Sequence, residues 1–166
     1  MRLFISIAYV GALGILAHVI GEALPRGLFS PNHRIFLQKS WEKNGKLYER
    51  LGIKKWKDAL PDMSKLFKHM LPKKVPAGAR SDRVDALVRE TCVAEAVHAA
   101  LCLLSPVIYC FWRNAWGVAL AAIYALGNIP FIMIQRYNRP RLMALSARMK
   151  KREERKAANE GFGTVL

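Results

Sequence analysis

The chain has 166 residues, 52% of them hydrophobic, with 27 Lys and Arg against 12 Asp and Glu and a formal net charge of +15. Such apolar content excludes a disordered polar chain, and the basic excess calls for anionic company. Apolar and charged residues fall in separate blocks, which points to a membrane protein whose basic segments meet anionic lipid and not nucleic acid.

The first block, Leu3 to Leu24, is apolar apart from His18 and Glu22. It is long enough to cross a hydrocarbon core of about 30 Å at about 1.5 Å per residue. Gly21 and Ala23 sit where a signal peptidase could cut. Cleavage there would export the basic middle of the chain, so a retained anchor over residues 1–24 is preferred.

Residues 25–91 form a basic segment, cytoplasmic or interfacial, too short and too charged for a large core of its own. Ser30-Pro31-Asn32 is a helix-start pattern. From there Ile35, Phe36, Leu37, Trp41, Leu47, Tyr48 and Leu51 recur among Arg34, Lys39, Lys43, Lys46 and Arg50, with a break at Asn44-Gly45. The pattern predicts two basic amphipathic helices in the headgroup layer, with Trp and Tyr as interfacial anchors. Leu71 to Ser81, with Pro72, Pro76 and Gly78, is expected to be a loop, and Asp82 to cap a helix that runs into the next apolar block.

Cys92 to Trp112 is apolar apart from Glu95 and His98, and Ala115 to Ile134 carries no charge. Only Arg113 and Asn114 separate the two, so residues 92–134 are expected to form an antiparallel transmembrane hairpin. The basic tail, 135–166, follows. The fold class is therefore an all-α membrane protein with three transmembrane helices and interfacial amphipathic helices. Lys and Arg number 16 in residues 25–91 and 9 in the tail, which leaves only Arg2 and Arg113 elsewhere. The positive-inside rule then places the N-terminus outside and the C-terminus in the cytoplasm. Cys92, Cys102 and Cys110 lack metal-ligand spacing and are expected to be free thiols, with no metal and no cofactor implied.

Glu95 and His98 share one helix face at i and i+3, and ionisable groups at membrane depth are costly enough to mark function. Counted outward from the hairpin turn, His98 and Asn128 fall at nearly equal depth. Glu95 likewise matches the start of Gln135-Arg136-Tyr137-Asn138-Arg139-Pro140-Arg141. Glu95 can orient the imidazole and stabilise its protonated form, making His98 a candidate general base. Asn128 can donate to a developing oxyanion. Arg136, Arg139 and Arg141 suit bidentate phosphate contacts, or serve as stop-transfer charges on anionic lipid.

At these positions the sequence resembles a known family. Glu90-Thr91, Ala94-Glu95, His98, Tyr124-Ala125, Asn128, Pro130 and above all Gln135 to Leu142 are similar to the glycosyl-4,4'-diaponeurosporenoate acyltransferase family of staphyloxanthin biosynthesis. Upstream, Glu42-Lys43, Gly45-Lys46 and Ile53-Lys54-Lys55-Trp56-Lys57 match in order, so the likeness covers about residues 40–155. Asp58 and Leu60-Pro61-Asp62 depart from the family pattern, as does the Ala-rich hairpin. The resemblance implies a membrane enzyme that esterifies a sugar hydroxyl of a glycosylated carotenoid, or of another glycolipid, with a fatty acyl chain. The acyl donor, an acyl-CoA or acyl carrier, would be a co-substrate. His98 and Glu95 would be catalytic. Asn128, Gln135, Arg136, Tyr137, Asn138, Arg139 and Arg141 would bind substrate, with Trp56, Lys57 and Asp58 closing the site from the cytoplasmic side. The rival class is a non-catalytic membrane partner that grips anionic lipid; such a scaffold needs no titratable base at that depth. A nucleotide-dependent membrane enzyme would need a Gly-rich phosphate loop, which the sequence lacks.

Overall fold

The computed structural model describes residues 1–60 and 80–163. The loop expected over 71–81 lies, as far as residue 79, outside the described residues, as do Pro61 and Asp62. Among the described residues the regular structure is helical: α1 (Arg2–Ala23), two 3-10 helices (Arg26–Leu28 and Ser40–Gly45), α2 (Lys46–Arg50), α3 (Ile53–Trp56), α4 (Ser81–Leu104), α5 (Val107–Phe111) and α6 (Ala115–Gly163). Three helices are long and apolar enough to cross a membrane: α1, α4 with its continuation α5, and α6. Phe4, Ile7, Ile15, Leu16 and Val19 are all exposed on α1, a surface that lipid and not water would cover.

The three long helices lie side by side. Tyr9 Oη donates to the Leu104 carbonyl at 3.3 Å, Gly21 approaches Val97, and the Arg26 guanidinium pairs with Glu90 at 2.7 Å, so α1 runs antiparallel to α4. Arg26 also donates to the carbonyls of Gly21, Glu22 and Leu24 and so closes the C-terminal end of α1. Between α4 and α6, Cys102 meets Ala125, Thr91 meets Arg139 and Ser81 meets Glu153, the register of an antiparallel hairpin. The three cysteines are free.

The turn of the hairpin falls at Trp112–Asn114, where the sequence placed it. Asn114 Oδ1 accepts from the amides of Trp116 and Gly117 at 3.0 and 3.3 Å and caps the start of α6. Gly117 is required there, because a Cβ would lie 1.8 Å from the Trp112 carbonyl oxygen. Gly117→Ala is therefore expected to lower the thermal unfolding midpoint in detergent by an overpacking cost of about 1–3 kcal/mol. An unchanged midpoint would mean that the turn shifts freely to admit the methyl group.

Three local expectations are corrected. Helix α4 starts at Ser81, with Arg80 before it and no side-chain cap, so Asp82 lies in the first turn and is not the cap. Ser81 is tied instead to Glu153, through its amide at 3.0 Å and its hydroxyl at 2.6 Å. No regular helix begins at Asn32: residues 31–37 form turns and bends. The reason is competition for carbonyls. Those of Ile35, Phe36 and Leu37 accept from Arg136 and Arg139, so they are not given up to a helical ladder. The break at Asn44-Gly45 is present, with left-handed backbone at Lys43, Asn44 and Gly45. Finally, Tyr48 is buried and not an interfacial anchor, whereas Trp41 is exposed as that role requires.

Candidate active site

Two polar layers cross the α4–α6 interface. In the outer one, His98 Nδ1 lies 2.8 Å from Asn128 Oδ1, and the imidazole stacks on Phe131 with centroids 4.6 Å apart and planes 9° from parallel. Asn128 is oriented by its own helix, since its Nδ2 donates to the Tyr124 carbonyl at 2.9 Å. A carbonyl can only accept, so Nδ2 is fixed toward Tyr124 and Oδ1 toward the histidine. The Oδ1 acceptor in turn requires a proton on Nδ1, which places the basic lone pair of a neutral imidazole on Nε2.

One turn below lies a buried chain of alternating charges. Arg136 spans Glu42 in two bonds, Nε to Oε1 at 2.7 Å and an η nitrogen to Oε2 at 3.0 Å. Its other η nitrogen reaches Glu95 Oε1 at 2.6 Å. Arg139, only 3% exposed, holds the second oxygen of Glu95, donates to the Thr91 hydroxyl at 2.9 Å and to the Phe36 carbonyl at 2.7 Å, and covers the Phe36 ring. Glu42 is fully buried and also accepts from the Tyr48 hydroxyl and from the Lys39 amide. Two carboxylates thus meet two guanidinium groups, and the planar forks of arginine allow each to bond in several directions at once.

Burial alone would raise the Glu42 carboxyl, but the hydrogen bonds of Arg136, Tyr48 and Lys39 outweigh it and hold the group below the usual carboxylate range. Burial, reinforced by the bond to Glu42, pushes the Tyr48 phenol up, so the hydroxyl keeps its proton for that bond.

A third cluster holds Tyr137, Arg141 and Trp56 among the remaining predicted residues. Arg141 lies 3.5 Å over the Tyr137 ring and pairs with Glu49 at 2.8 Å, and Tyr137 Oη donates to the same carboxylate at 3.3 Å. Tyr137 packs with Tyr48, Ile53 and Ile134, and Trp56 closes the edge of this core while donating to the Leu51 carbonyl at 3.0 Å. Lys57 lies 5.9 Å from the Tyr137 ring centre, Asp58 is exposed, and Gln135 and Asn138 are half-buried. Gly45, at φ +84°, touches this cluster as well: a Cβ there would come within 2.9 Å of Arg141.

Glu95, His98, Asn128 and residues 135–141 therefore gather along α4 and α6, while Trp56, Lys57 and Asp58 lie at and after the end of α3; two expected partnerships are exchanged. The Glu95 carboxylate, expected to orient His98, is held by Arg136 and Arg139, and the Nδ1 partner of His98 is Asn128. The arginines expected to face donor phosphate are engaged by Glu42, Glu95 and Glu49. Strong pairing with a carboxylate already at hand explains both exchanges. Sequence reasoning missed the carboxylates that reach in from the basic segment. A signal was available: residues 25–60 carry only three acids, Glu42, Glu49 and Asp58, and the first two are the ones that the arginines take.

The fold and its buried polar layers define a small helical membrane protein with ionisable side chains buried between its two hairpin helices. Residues 32–148 match the family model described as glycosyl-4,4'-diaponeurosporenoate acyltransferase. Proteins of that name from Staphylococcus aureus strains bovine RF122 / ET3-1 and MRSA252 are each 32% identical over 139 residues, 82% of this chain and 82% of theirs. The protein of strain N315 is 30% identical over 138 residues, with the same coverage. The chain belongs to this family and is an acyltransferase. No solved structure matches it.

Proposed function

We propose that the protein transfers a fatty acyl chain to a sugar hydroxyl of a glycosylated lipid, in the class of a glycosylated carotenoid acid, with His98 as general base. The observation that carries this reading is the bond from His98 Nδ1 to Asn128, which fixes the neutral tautomer with its basic lone pair on Nε2. In the proposed reaction Nε2 takes the proton of the sugar hydroxyl as its oxygen attacks the activated carbonyl of the donor. The C–O bond forms, the donor's thiolate leaves, and the imidazolium returns the proton to it. An acyl-CoA or acyl carrier is the proposed donor. Asn128 positions the ring, and Glu95 acts through Arg136 and Arg139 to fix the wall beneath it. The relatives named above are called acyltransferases of glycosyl-4,4'-diaponeurosporenoate, and this supports a carotenoid glycoside as acceptor.

The test is ester formation in bacterial membranes containing the protein, with lipids profiled by mass spectrometry. An acylated glycolipid that appears with the wild type and vanishes with His98→Ala is the expected result; identical lipid profiles would end the reading.

The proposed placement is a bacterial inner membrane with both basic segments in the cytoplasm and the N-terminus outside. A reporter fused after Leu166 should then respond as cytoplasmic, and one inserted at Asn114 as external. Equal responses from the two would remove this topology.

A further inference from the structure

A cleft of about 240 Å³ opens between residues 31–38 and α6, directly against the alternating charges. Its floor is Glu42, Arg136 and Arg139, and its sides are Pro31, Phe36 and Met143. Gln38 also lines it, with an amide nitrogen that is buried and has no hydrogen-bond partner. Buried donors are rarely left so, and one in a residue that lines a cleft can be satisfied by an incoming acceptor.

Charge decides which ligand fits. Each guanidinium in the floor is matched by a carboxylate, Arg136 by Glu42 and Glu95, and Arg139 by Glu95. A phosphate would meet the buried negative charge of Glu42 and find no unmatched arginine. A neutral polyol has no such penalty. Its hydroxyls both donate and accept, so one can accept from the Gln38 amide while the ring leaves the bonded carboxylates and guanidinium groups undisturbed. The apolar sides suit the C–H faces of a sugar ring, and the volume lies below the range of drug-sized pockets, as a single ring requires. Glu95, bonded to both arginines, is one helical turn from His98 on the same face of α4.

We propose that this cleft seats the sugar ring of the glycolipid acceptor, with Gln38 as a residue that selects a glycosylated head over a plain alcohol. The assignment rests on the acyl-transfer reading for its role, and on the cleft alone for its ligand.

The full chain in lipid nanodiscs is tested with two probes, dodecyl β-glucoside and 1-dodecanol, and with fatty acyl-CoA as donor. Binding is read by saturation-transfer NMR on the sugar ring protons, and ester formation by mass spectrometry. The wild type should bind and esterify the glucoside and leave 1-dodecanol unesterified, and equal ester from both probes would overturn the selection assigned to Gln38. Gln38→Leu should weaken that binding about tenfold, the loss of one hydrogen bond at about 1.4 kcal/mol per tenfold step. Met143→Trp fills the cleft from its apolar side, and should abolish binding while helix content stays unchanged. His98→Ala should still bind the glucoside yet form no ester. Equal glucoside binding by wild type, Gln38→Leu and Met143→Trp overturns the cleft assignment even if the wild type makes ester. Binding that follows the cleft variants while the wild type makes no ester overturns the acyl-transfer reading and leaves the sugar site standing.

Discussion

Replacing His98 by Ala is expected to cut turnover by about a hundredfold or more, the ordinary loss when a positioned general base is removed. The three long helices should persist, because the imidazole is half-buried and its removal leaves Asn128 with its bond to Tyr124. Asn128→Leu should retain the base but release the ring, so that both tautomers are populated and part of the activity is lost. Glu95→Gln separates two roles. If Glu95 acts on His98 itself, kcat collapses in a fully folded protein. If it acts through Arg136 and Arg139, as the bonding pattern supports, the main loss is in stability, and kcat falls only with the folded fraction. A purified, folded His98→Ala protein that works at the wild-type rate would end the mechanism.

The hairpin and its upper polar layer were legible because helices translate residue count into depth. His98 and Asn128 were matched by counting from Arg113-Asn114, and their atoms lie 2.8 Å apart. The same arithmetic brought Glu95 level with the start of the QRYNRPR run. It does not say which way a long side chain turns. Arg136 reaches Glu42 across 94 residues, from a segment whose path depends on left-handed backbone at Lys43 and Asn44, where side chains seldom permit it. Periodicity predicts a helix through residues 32–43, and tertiary bonding overrides it, because Arg136 and Arg139 draw the carbonyls of Ile35, Phe36 and Leu37 into their own coordination. The burial of Tyr48 follows from the same event: once Glu42 is inside, its carboxylate needs a further donor, and Tyr48 is the hydroxyl within reach.

Breaking that chain of charges should be the most destabilising change. Glu42→Leu removes the fully buried carboxylate and leaves Arg136 with Glu95 alone, an excess of buried positive charge expected to cost about 3–5 kcal/mol. Chemical unfolding in detergent micelles would measure it. Glu42→Leu combined with Arg136→Met should cost less than the sum of the two single changes, because the second removes the charge that the first orphans. Acid should act on the same group. The Glu42 carboxyl titrates below its unfolded value, so its contribution is present above the ordinary carboxylate range and is lost as pH falls through the depressed value. Stability should therefore decline on the acid side, and Glu42→Gln should flatten that decline. Arg136→Lys decides between structural and phosphate-binding roles for the arginine. An ammonium cannot span both oxygens of Glu42 while also reaching Glu95 and two carbonyls, so the variant should unfold more easily. Wild-type stability with a raised Michaelis constant for the acyl donor would instead return Arg136 to the phosphate.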